Sequence, residues 1–353
     1  MNARRPGGTL SRMSSSNRAL NVAVVGATGM VGQEMFRVLA QRKFPVSRLK
    51  ALASERSAGL EVRSNGDSIP VEALNEDSFK GVDLALFSAG SDVSLLYAPA
   101  AVEAGALVVD NSAAWRMKEN VPLVVPEVNA EDIRDNEGIV ANPNCCAIPL
   151  AVVLEPLRRE AGLERVLVST YQSASGAGKA LVDELTEQTA ALAAGRQPEV
   201  TVYSHQLAHN VVPGGWKPEQ EGYNEEELKI VAETRRILHQ PDLRVAATCV
   251  RVPVPVGHGE SVFVETERML AAEDARLILG SAPGVIVEDD PHARIFPTPA
   301  AVAGKDEVYV GRLRNDLSCS RGLALWIVSD NLRKGAALNA VQIAERALEM
   351  GVL

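Results

Sequence analysis

Short, continuously apolar runs alternate with helix-compatible segments through the first part of the chain. The runs lie at residues 20–25, 47–53, 82–87, 106–109 and 137–141. Their length is typical of buried strands, and the segments 34–42 and 92–104 between them have helical spacing. Strands and helices in this order favour a parallel sheet with helices on both faces. The pattern therefore predicts an α/β fold whose N-terminal unit, residues 20–145, is a Rossmann-type doubly wound sheet.

A different pattern begins after Cys146. Residues 147–160 and 178–193 have helical spacing, and β-branched segments predict strands at 165–172, 245–256, 260–268, 308–314 and 322–329. These indicate an α+β unit over residues 146–330 with a mainly antiparallel sheet. Apolar residues of 333–350 share one helical face, so we expect residues 331–353 to return as a helix to the first unit.

Two segments show no sustained period. Residues 195–226 are rich in Gly, Pro and acidic side chains, which predicts a long surface or interface excursion. Residues 1–19 contain four arginines, no acidic residue and many Ser and Gly residues. This composition predicts a flexible tail, and the alternatives are an organelle transit segment or a true start at Met13.

Charge and hydropathy argue against two classes of partner. The net charge is -9, and no clustered basic surface is evident for nucleic acid. Charged residues interrupt every apolar stretch before it reaches the ~20 residues that cross a bilayer. The four cysteines lack paired CxxC spacing and are too few to staple a chain of 353 residues. A reducing compartment fits best, and we expect a cytoplasmic protein.

The first predicted strand ends at a glycine-rich turn, GATGMVG, in which Gly26, Gly29 and Gly32 directly precede a helix. A turn without Cβ atoms lets a pyrophosphate approach the backbone, and the free N–H groups of a helix start favour negative charge. Dinucleotide binding is the prediction, and a simple helix-capping turn is the alternative. The predicted cofactor contacts at this turn are Gly26, Thr28, Gly29, Met30 and Val31.

Two further strand ends offer cofactor contacts. The second strand ends at SERSAG, where Glu55 suits the ribose hydroxyls of NAD, whereas Arg56 suits the 2'-phosphate of NADP. Because Ser54 and Ser57 add hydroxyl donors beside Arg56, we favour NADP. A later strand ends at FSAGS, which is either a backbone contact to the cofactor or an ordinary strand-to-helix turn. The predicted contacts there are Ser88, Ala89 and Gly90.

Cys145 is the candidate nucleophile. It follows an apolar strand in GIVANPNCCAIPL and precedes a predicted helix, whose N-terminus lowers the pKa of a nearby thiol. A buried, inert cysteine is the alternative interpretation. The segment RVPVPVGHGE adds Arg251 and His258, a permanent cation and a proton carrier near neutral pH. Thiol, imidazole and guanidinium together indicate acyl transfer on an anionic substrate.

Six motifs in order carry a family resemblance: GATGMVG, NPNC, TYQSASGAG, EELK, CVRVPV followed by GH, and DNLRKGAALNAVQ. The chain resembles the aspartate-β-semialdehyde dehydrogenases over residues 21 to 348. The resemblance implies a homodimer and NADP-dependent reductive dephosphorylation of β-aspartyl phosphate to aspartate semialdehyde, a step toward lysine, threonine and methionine. Two enzyme alternatives are an N-acetylglutamyl-phosphate reductase and a glyceraldehyde-phosphate dehydrogenase. An alternative of another class is a catalytically silent homologue that binds nucleotide.

The resemblance also implies a role for each matching residue. Cys145 matches the nucleophile, His258 the acid and base, and Gln172 the residue that orients the thioester. Arg251 matches the ligand of the substrate carboxylate, and Glu226 a residue that holds the substrate amino group. The positions that match phosphate ligands are Arg116, Asn144 and Lys229. Those that match contacts beside the nicotinamide are Ser175, Gly176 and Asn331.

Two departures from the family pattern stand out. Cys146 follows the nucleophile where Ser is usual, and we expect it to be silent rather than a partner in oxidation. His205 and His209, the latter at a position where this family more often has an aromatic residue, have the i, i+4 spacing of zinc ligands. The zinc motif has Glu directly after its first His, whereas this chain has Gln206 there, and no third ligand is evident. We therefore predict no metal site.

Overall fold

The computed structural model describes residues 18–353, so nearly all of the tail expected at 1–19 lies outside the described residues. The described part opens with a seven-stranded sheet in the order β3-β4-β2-β1-β5-β6-β7. Its strands are β1 (Leu20–Val25), β2 (Val46–Ala53), β3 (Glu61–Ser64), β4 (Asp67–Ala73), β5 (Leu84–Phe87), β6 (Leu107–Asp110) and β7 (Ile139–Ala141). Every pairing is parallel except that of β3 with β4.

Helices cover both faces of this sheet, which explains why its central strands are apolar throughout. In β1, Val22 and Val24 belong to one buried core, whereas Ala23 and Val25 belong to the other. The helices of this part of the chain are α1 (Met30–Gln41), α2 (Ser91–Glu103) and the short α3 (Pro126–Asn129). The doubly wound prediction is confirmed. The β3–β4 hairpin was missed because its strands carry charged residues and a proline.

The second sheet has six strands in the order β11-β12-β13-β10-β8-β9. The strands are β8 (Arg165–Gln172), β9 (Arg244–Arg251), β10 (His258–Glu265), β11 (Val285–Val287), β12 (Val308–Asn315) and β13 (Gly322–Ser329). Three pairings are antiparallel, and β8–β9 and β11–β12 are parallel. The mainly antiparallel prediction therefore describes the centre of the sheet and not its ends.

Helices α4 (Ala147–Ala161), α6 (Glu225–Ile237) and α7 (Ala272–Ser281) pack on one face of the second sheet. Helix α5 (Lys179–Ala193) packs with part of the excursion, and the short α8 (Pro299–Val302) packs on the opposite face against Tyr309 and Val328. On this opposite face of the sheet, Leu167, Tyr171 and Phe263 are exposed. The expected excursion at 195–226 ends earlier than predicted, because a capping box between Asn224 and Glu227 starts α6.

The C-terminal segment returns to the first sheet as expected. Residues Arg333–Ala337 form a π-helix that continues into α9 (Leu338–Glu349), and Val341 and Ala344 pack in the same core as Val22. Lys334 is fully buried, where its ammonium donates to Glu127 at 2.6 Å. Burial lowers the pKa of Lys334. Within residues 18–353, no helix combines the length and the apolar character that crossing a bilayer requires.

Candidate active site

The glycine-rich turn lies against the end of β5. Gly26 has φ +85°, and a Cβ there would meet the carbonyl oxygen of Ser88 at 2.2 Å. A Cβ on Gly32 would meet the carbonyl oxygen of Gly26 at 2.2 Å. Both positions therefore require glycine, Gly26 for the tight turn against β5 and Gly32 for the close packing of α1 on that turn, as in a dinucleotide-binding turn.

The other predicted cofactor residues lie along the same edge of the sheet. Ser88, Ala89 and Gly90 follow β5 and start α2, while Ser54 and the short 3-10 helix Glu55–Ser57 follow β2. The side chains of Glu55 and Arg56 are both exposed. Strands β2 and β5 flank β1 in the sheet, and Gly26 directly follows β1. The residues after β2 and those after β5 therefore lie on the two sides of Gly26, at the same edge of the sheet.

A cavity of about 260 Å³ lies where the two sheets meet. Nine of the predicted site residues line it, namely Val31, Arg116, Asn144, Cys145, Ser175, Gly176, Glu226, Lys229 and Asn331. The predicted contacts at Thr28, Gly29 and Met30 and the residues after β2 and β5 lie outside this cavity, along the sheet edge. Val31 in α1 is thus the link between the glycine turn and the cavity.

Cys145 lies at the cavity wall between β7 and α4. Its Sγ is 3.4 Å from Nε2 of His258, the first residue of β10. A hydrogen bond from Cys146 and the interaction with His258 hold the pKa of the Cys145 thiol well below its ordinary value, although burial opposes them. Burial raises the pKa of Cys146, so its thiol keeps the proton that it donates. This arrangement favours a thiolate at Cys145.

Two further contacts shape the surroundings of Cys145. Cys146 is buried, and its sulfur accepts from Nε2 of Gln172 at 3.1 Å. At the start of α4, Oδ1 of Asn144 accepts from the backbone N–H groups of Cys146 and Ala147. This cap fixes the start of the helix beside Cys145.

Replacing Cys146 tests this arrangement. In Cys146→Ala the thiolate of Cys145 loses a donor, so its pKa rises and alkylation by iodoacetamide requires a higher pH. The rate of alkylation of the Cys145 peptide, followed by mass spectrometry across a pH series, measures the shift.

The matched variant Cys146→Ser supplies an O–H in place of the S–H and is expected to keep the midpoint at low pH. A midpoint in Cys146→Ala that stays unchanged or moves to lower pH would contradict the role given to Cys146.

The ring of His258 is oriented by Ser173. The backbone N–H of Ser173 donates to Nδ1 at 3.0 Å, so in the neutral ring the proton lies on Nε2 and faces the sulfur of Cys145. The Ser173 hydroxyl is also 3.0 Å from Nδ1 and donates to Oδ1 of Asn331. Asn331 thus supports His258 through Ser173.

Sulfur and nitrogen atoms of Cys145, Cys146 and His258 lie within 4.8 Å of one another, a spacing compatible with a metal ion. The proton on Nε2 of His258 disfavours coordination there. His205 and His209 lie in a non-helical segment, and His209 has a positive φ of 59°. Their i, i+4 spacing therefore does not place them on one helical face.

Arg251, at the end of β9, approaches the same point from another side. Its guanidinium is buried and donates from Nη1 to the carbonyl oxygen of Ser173 at 2.7 Å. A Cβ on Gly176 would lie 2.9 Å from this Nη1 and 3.2 Å from Nε2 of His258. Gly176 thus leaves open the space that both side chains border.

Polar side chains from α6 close the other end of the cavity. Oε1 of Glu226 accepts from the amides of Asn144, at 2.9 Å, and Gln172, at 3.0 Å. The ammonium of Lys229 is 3.8 Å from Oε2 of Glu226. The structure thus brings these predicted residues together, although one amide proton of Asn144 is already taken.

Arg116 is held by groups that the sequence did not single out. Its guanidinium donates to the carbonyl oxygens of Asn111 and Asn142 and to the carboxylate of Glu233, at 3.1 Å. Glu233 is buried, which raises its pKa, and it also accepts from the backbone N–H of Asn144. Arg116 also lines the cavity.

Further cavity residues were missed by the sequence reasoning. They are Asn111, Ala113, Pro143, Leu332, Gly335 and Ala336. Asn111 directly follows β6, so the rule that drew attention to Ser88 after β5 was sufficient to find it. Gly335 has a packing reason, since a Cβ there would lie 3.1 Å from Cβ of Cys145.

Comparison with known proteins agrees with this geometry. Residues 21–136 match the NAD-binding domain of semialdehyde dehydrogenases, and residues 154–334 match their dimerisation domain. Aspartate-semialdehyde dehydrogenase of Bacillus subtilis is 48% identical, with 95% of this chain and 99% of that protein covered. The Aquifex aeolicus protein of the same name is 49% identical, covering 94% of this chain and 99% of that protein.

Solved structures give the same result. Aspartate semialdehyde dehydrogenase II of Vibrio cholerae, crystallised in complex with ASA, superposes with a TM-score of 0.92 at 47% identity. The match covers 94% of this chain and 99% of that one. With such identity over nearly the whole length, the chain belongs to the aspartate-semialdehyde dehydrogenase family.

Proposed function

We propose that this protein reduces β-aspartyl phosphate to aspartate semialdehyde with NADPH, reversibly, through a thioester on Cys145. The observation that carries the proposal is the position of one sulfur. It lies 3.4 Å from the His258 imidazole, in a cavity that Arg116 and Lys229 line and that Val31 connects to the glycine turn. Family membership and this arrangement support the same reaction.

The residues perform the chemistry in two stages. The Cys145 thiolate attacks the acyl carbon, a C–S bond forms, and the C–O bond to phosphate breaks with its electron pair on the leaving oxygen. NADPH, when bound along the strand edge, supplies the hydride that reduces the thioester carbonyl. The C–S bond then breaks, its electrons return to Cys145, and the aldehyde leaves. The proton consumed in this direction enters through Nε2 of His258.

Charged groups around Cys145 suit both ends of this substrate. Arg251 binds the carboxylate, Glu226 holds the amino group, and Gln172 orients the thioester. Arg116, Lys229 and Asn144 bind the phosphate that departs. A cation for each anion and a carboxylate for the ammonium give the polar groups of the substrate complementary partners.

The glycine turn at the start of α1 fits a dinucleotide pyrophosphate, and we assign the cofactor as NADP. Arg56 follows β2 in an exposed position with Ser54 and Ser57 beside it. A guanidinium and two hydroxyls complement a 2'-phosphate. The alternative cofactor is NAD, whose ribose hydroxyls Glu55 would bind. Met30 and Val31 at the start of α1, and Ser88, Ala89 and Gly90 after β5, would hold the cofactor there.

We further propose a cytoplasmic homodimer. Residues 20–145 with 331–353 serve as the cofactor domain, and 146–330 as the catalytic and dimerisation domain. The exposed face of the second sheet carries Leu167, Tyr171 and Phe263, and apolar side chains on such a face favour burial against a second copy. Light scattering is expected to give twice the chain mass, and a monomer at micromolar concentration would contradict this.

A direct assay tests the proposed function. Purified protein with aspartate semialdehyde, phosphate and NADP is expected to produce NADPH absorbance, and NAD is expected to support a lower kcat/KM. Omitting phosphate removes the acceptor of the acyl group and is expected to stop turnover. Activity with N-acetylglutamate semialdehyde alone would overturn the substrate assignment, and equal use of NAD would overturn the cofactor assignment.

A further inference from the structure

Two aromatic rings border the guanidinium of Arg251. Its central carbon is 4.8 Å from the ring centroid of Trp216 and 5.7 Å from that of Tyr203. Both aromatic residues belong to the excursion that the sequence left without a role. Cations at these distances from an aromatic face are attracted by its quadrupole, and the attraction grows when water is excluded. Arg251 is buried, so this condition is met.

The excursion is fastened so that these rings stay in place. Val212 and Arg251 exchange two backbone hydrogen bonds of 2.9 Å, which ties the segment to the end of β9. The hydroxyl of Tyr203 donates to the carbonyl oxygen of Gly214 at 2.6 Å. A Cβ on Gly215 would lie 2.3 Å from this hydroxyl, so glycine is required beside it. These contacts give the segment a defined position beside Arg251.

The rings restrain the guanidinium without using its donors. Within residues 18–353, Nη1 of Arg251 donates to Ser173, whereas the buried Nε has no hydrogen-bond partner. Attraction to a ring face requires no hydrogen bond from the guanidinium, so the Nε–H stays available to an anion. A buried donor without a partner is costly unless a ligand meets it.

We propose that Trp216 and Tyr203 are positioning residues that hold Arg251 ready for the substrate carboxylate. They act through the arginine and not on the reacting atoms. The identity of the carboxylate as that of an aspartyl substrate rests on the proposed function, but the aromatic restraint of the arginine does not. The competing explanation is that Trp216 only fills space in the excursion and has no effect on how Arg251 binds a carboxylate.

The first experiment is independent of substrate identity. Iodoacetate and iodoacetamide both alkylate Cys145, but only iodoacetate carries a carboxylate that Arg251 attracts. The ratio of their rate constants therefore reports carboxylate recognition, and thiolate reactivity cancels. Trp216→Ala is expected to lower this ratio roughly three- to tenfold, and Trp216→Phe is expected to retain most of it.

Control variants separate positioning from packing. Trp216→Leu keeps apolar volume without an aromatic face, so it is expected to lower the ratio as Trp216→Ala does. Val211→Ala, an exposed change in the same segment, is expected to leave the ratio unchanged. Tyr203→Phe keeps the ring and is expected to have the smaller effect. An unchanged ratio in a folded Trp216→Ala or Trp216→Leu protein overturns the proposal.

A double-mutant cycle extends the test to turnover. Trp216→Ala is expected to raise KM for aspartate semialdehyde roughly three- to tenfold with kcat nearly unchanged, and to add little to the KM of Arg251→Lys. Fully additive effects would mean that Trp216 acts independently of the arginine and would overturn the proposal. If the wild-type protein fails to turn over this aldehyde while the alkylation ratio still falls in Trp216→Ala, the proposed function fails and the positioning role stands.

Discussion

Cys145→Ala is expected to lower kcat/KM for aspartate semialdehyde by roughly 10⁴-fold or more, because alanine has no sulfur to which the acyl group can be transferred. The fold should survive the change. Cys145 is partly exposed at the cavity wall and is not part of a strand or helix. Steady-state rates of NADPH formation, together with a melting temperature close to that of the wild type, measure the effect.

Cys319→Ala is the matched control. This cysteine lies in the turn before β13, is also partly exposed, and takes no part in the cavity. It should leave the rate unchanged. If Cys145→Ala retained a tenth of the wild-type rate, no covalent thioester at this position would be required, and the account of the reaction would be wrong.

Arg251→Lys is expected to raise KM for the aldehyde by roughly 10- to 100-fold. A hydrogen bond to a charged group is worth about 1.5–3 kcal/mol, and an ammonium lacks the planar fork that binds a carboxylate through two N–H groups. The shorter ammonium also loses the broad contact with Trp216. Initial rates over a range of aldehyde concentrations separate KM from kcat.

The KM for phosphate provides an internal control, because different residues are assigned to phosphate. It should change much less than the KM for the aldehyde. Equal rises in both constants would indicate a general distortion of the cavity instead of a lost carboxylate ligand.

The sequence was sufficient to predict the parts of the fold that local pattern determines. Residues 22–25 form a fully apolar strand because both faces of the first sheet are covered. The glycines of GATGMVG allow the close approach of Gly26 to Ser88. The helix that follows Cys145 was also predicted. Each of these features is encoded within a few consecutive residues.

Contacts between distant segments were not predictable in the same way. Ser173 orients His258 across 85 residues, and Glu233 holds Asn144 across 89. Glu233 belongs to no motif, and the motif that contains Ser173 does not reveal which distant side chain it contacts. Asn144 shows the limit most clearly, because its carboxamide was expected to donate to an anion, yet it caps the start of α4 and donates to Glu226.

The excursion at 195–226 is the clearest case of a segment without a readable pattern. It lacks periodicity because its shape is set by hydrogen bonds to β9 and by single aromatic contacts, and neither leaves a repeat in the sequence. Trp216 was therefore unremarkable until the guanidinium of Arg251 was found against its ring.

The central claim is that one sulfur carries the acyl group, and trapping the intermediate tests it most directly. Mixing the enzyme with aspartate semialdehyde and NADP without phosphate is expected to release one equivalent of NADPH per subunit and then stop. Mass spectrometry should find the added aspartyl group on the peptide that contains Cys145, and phosphate should remove it. A burst without an acylated peptide, or an acyl group on another residue, would contradict the account.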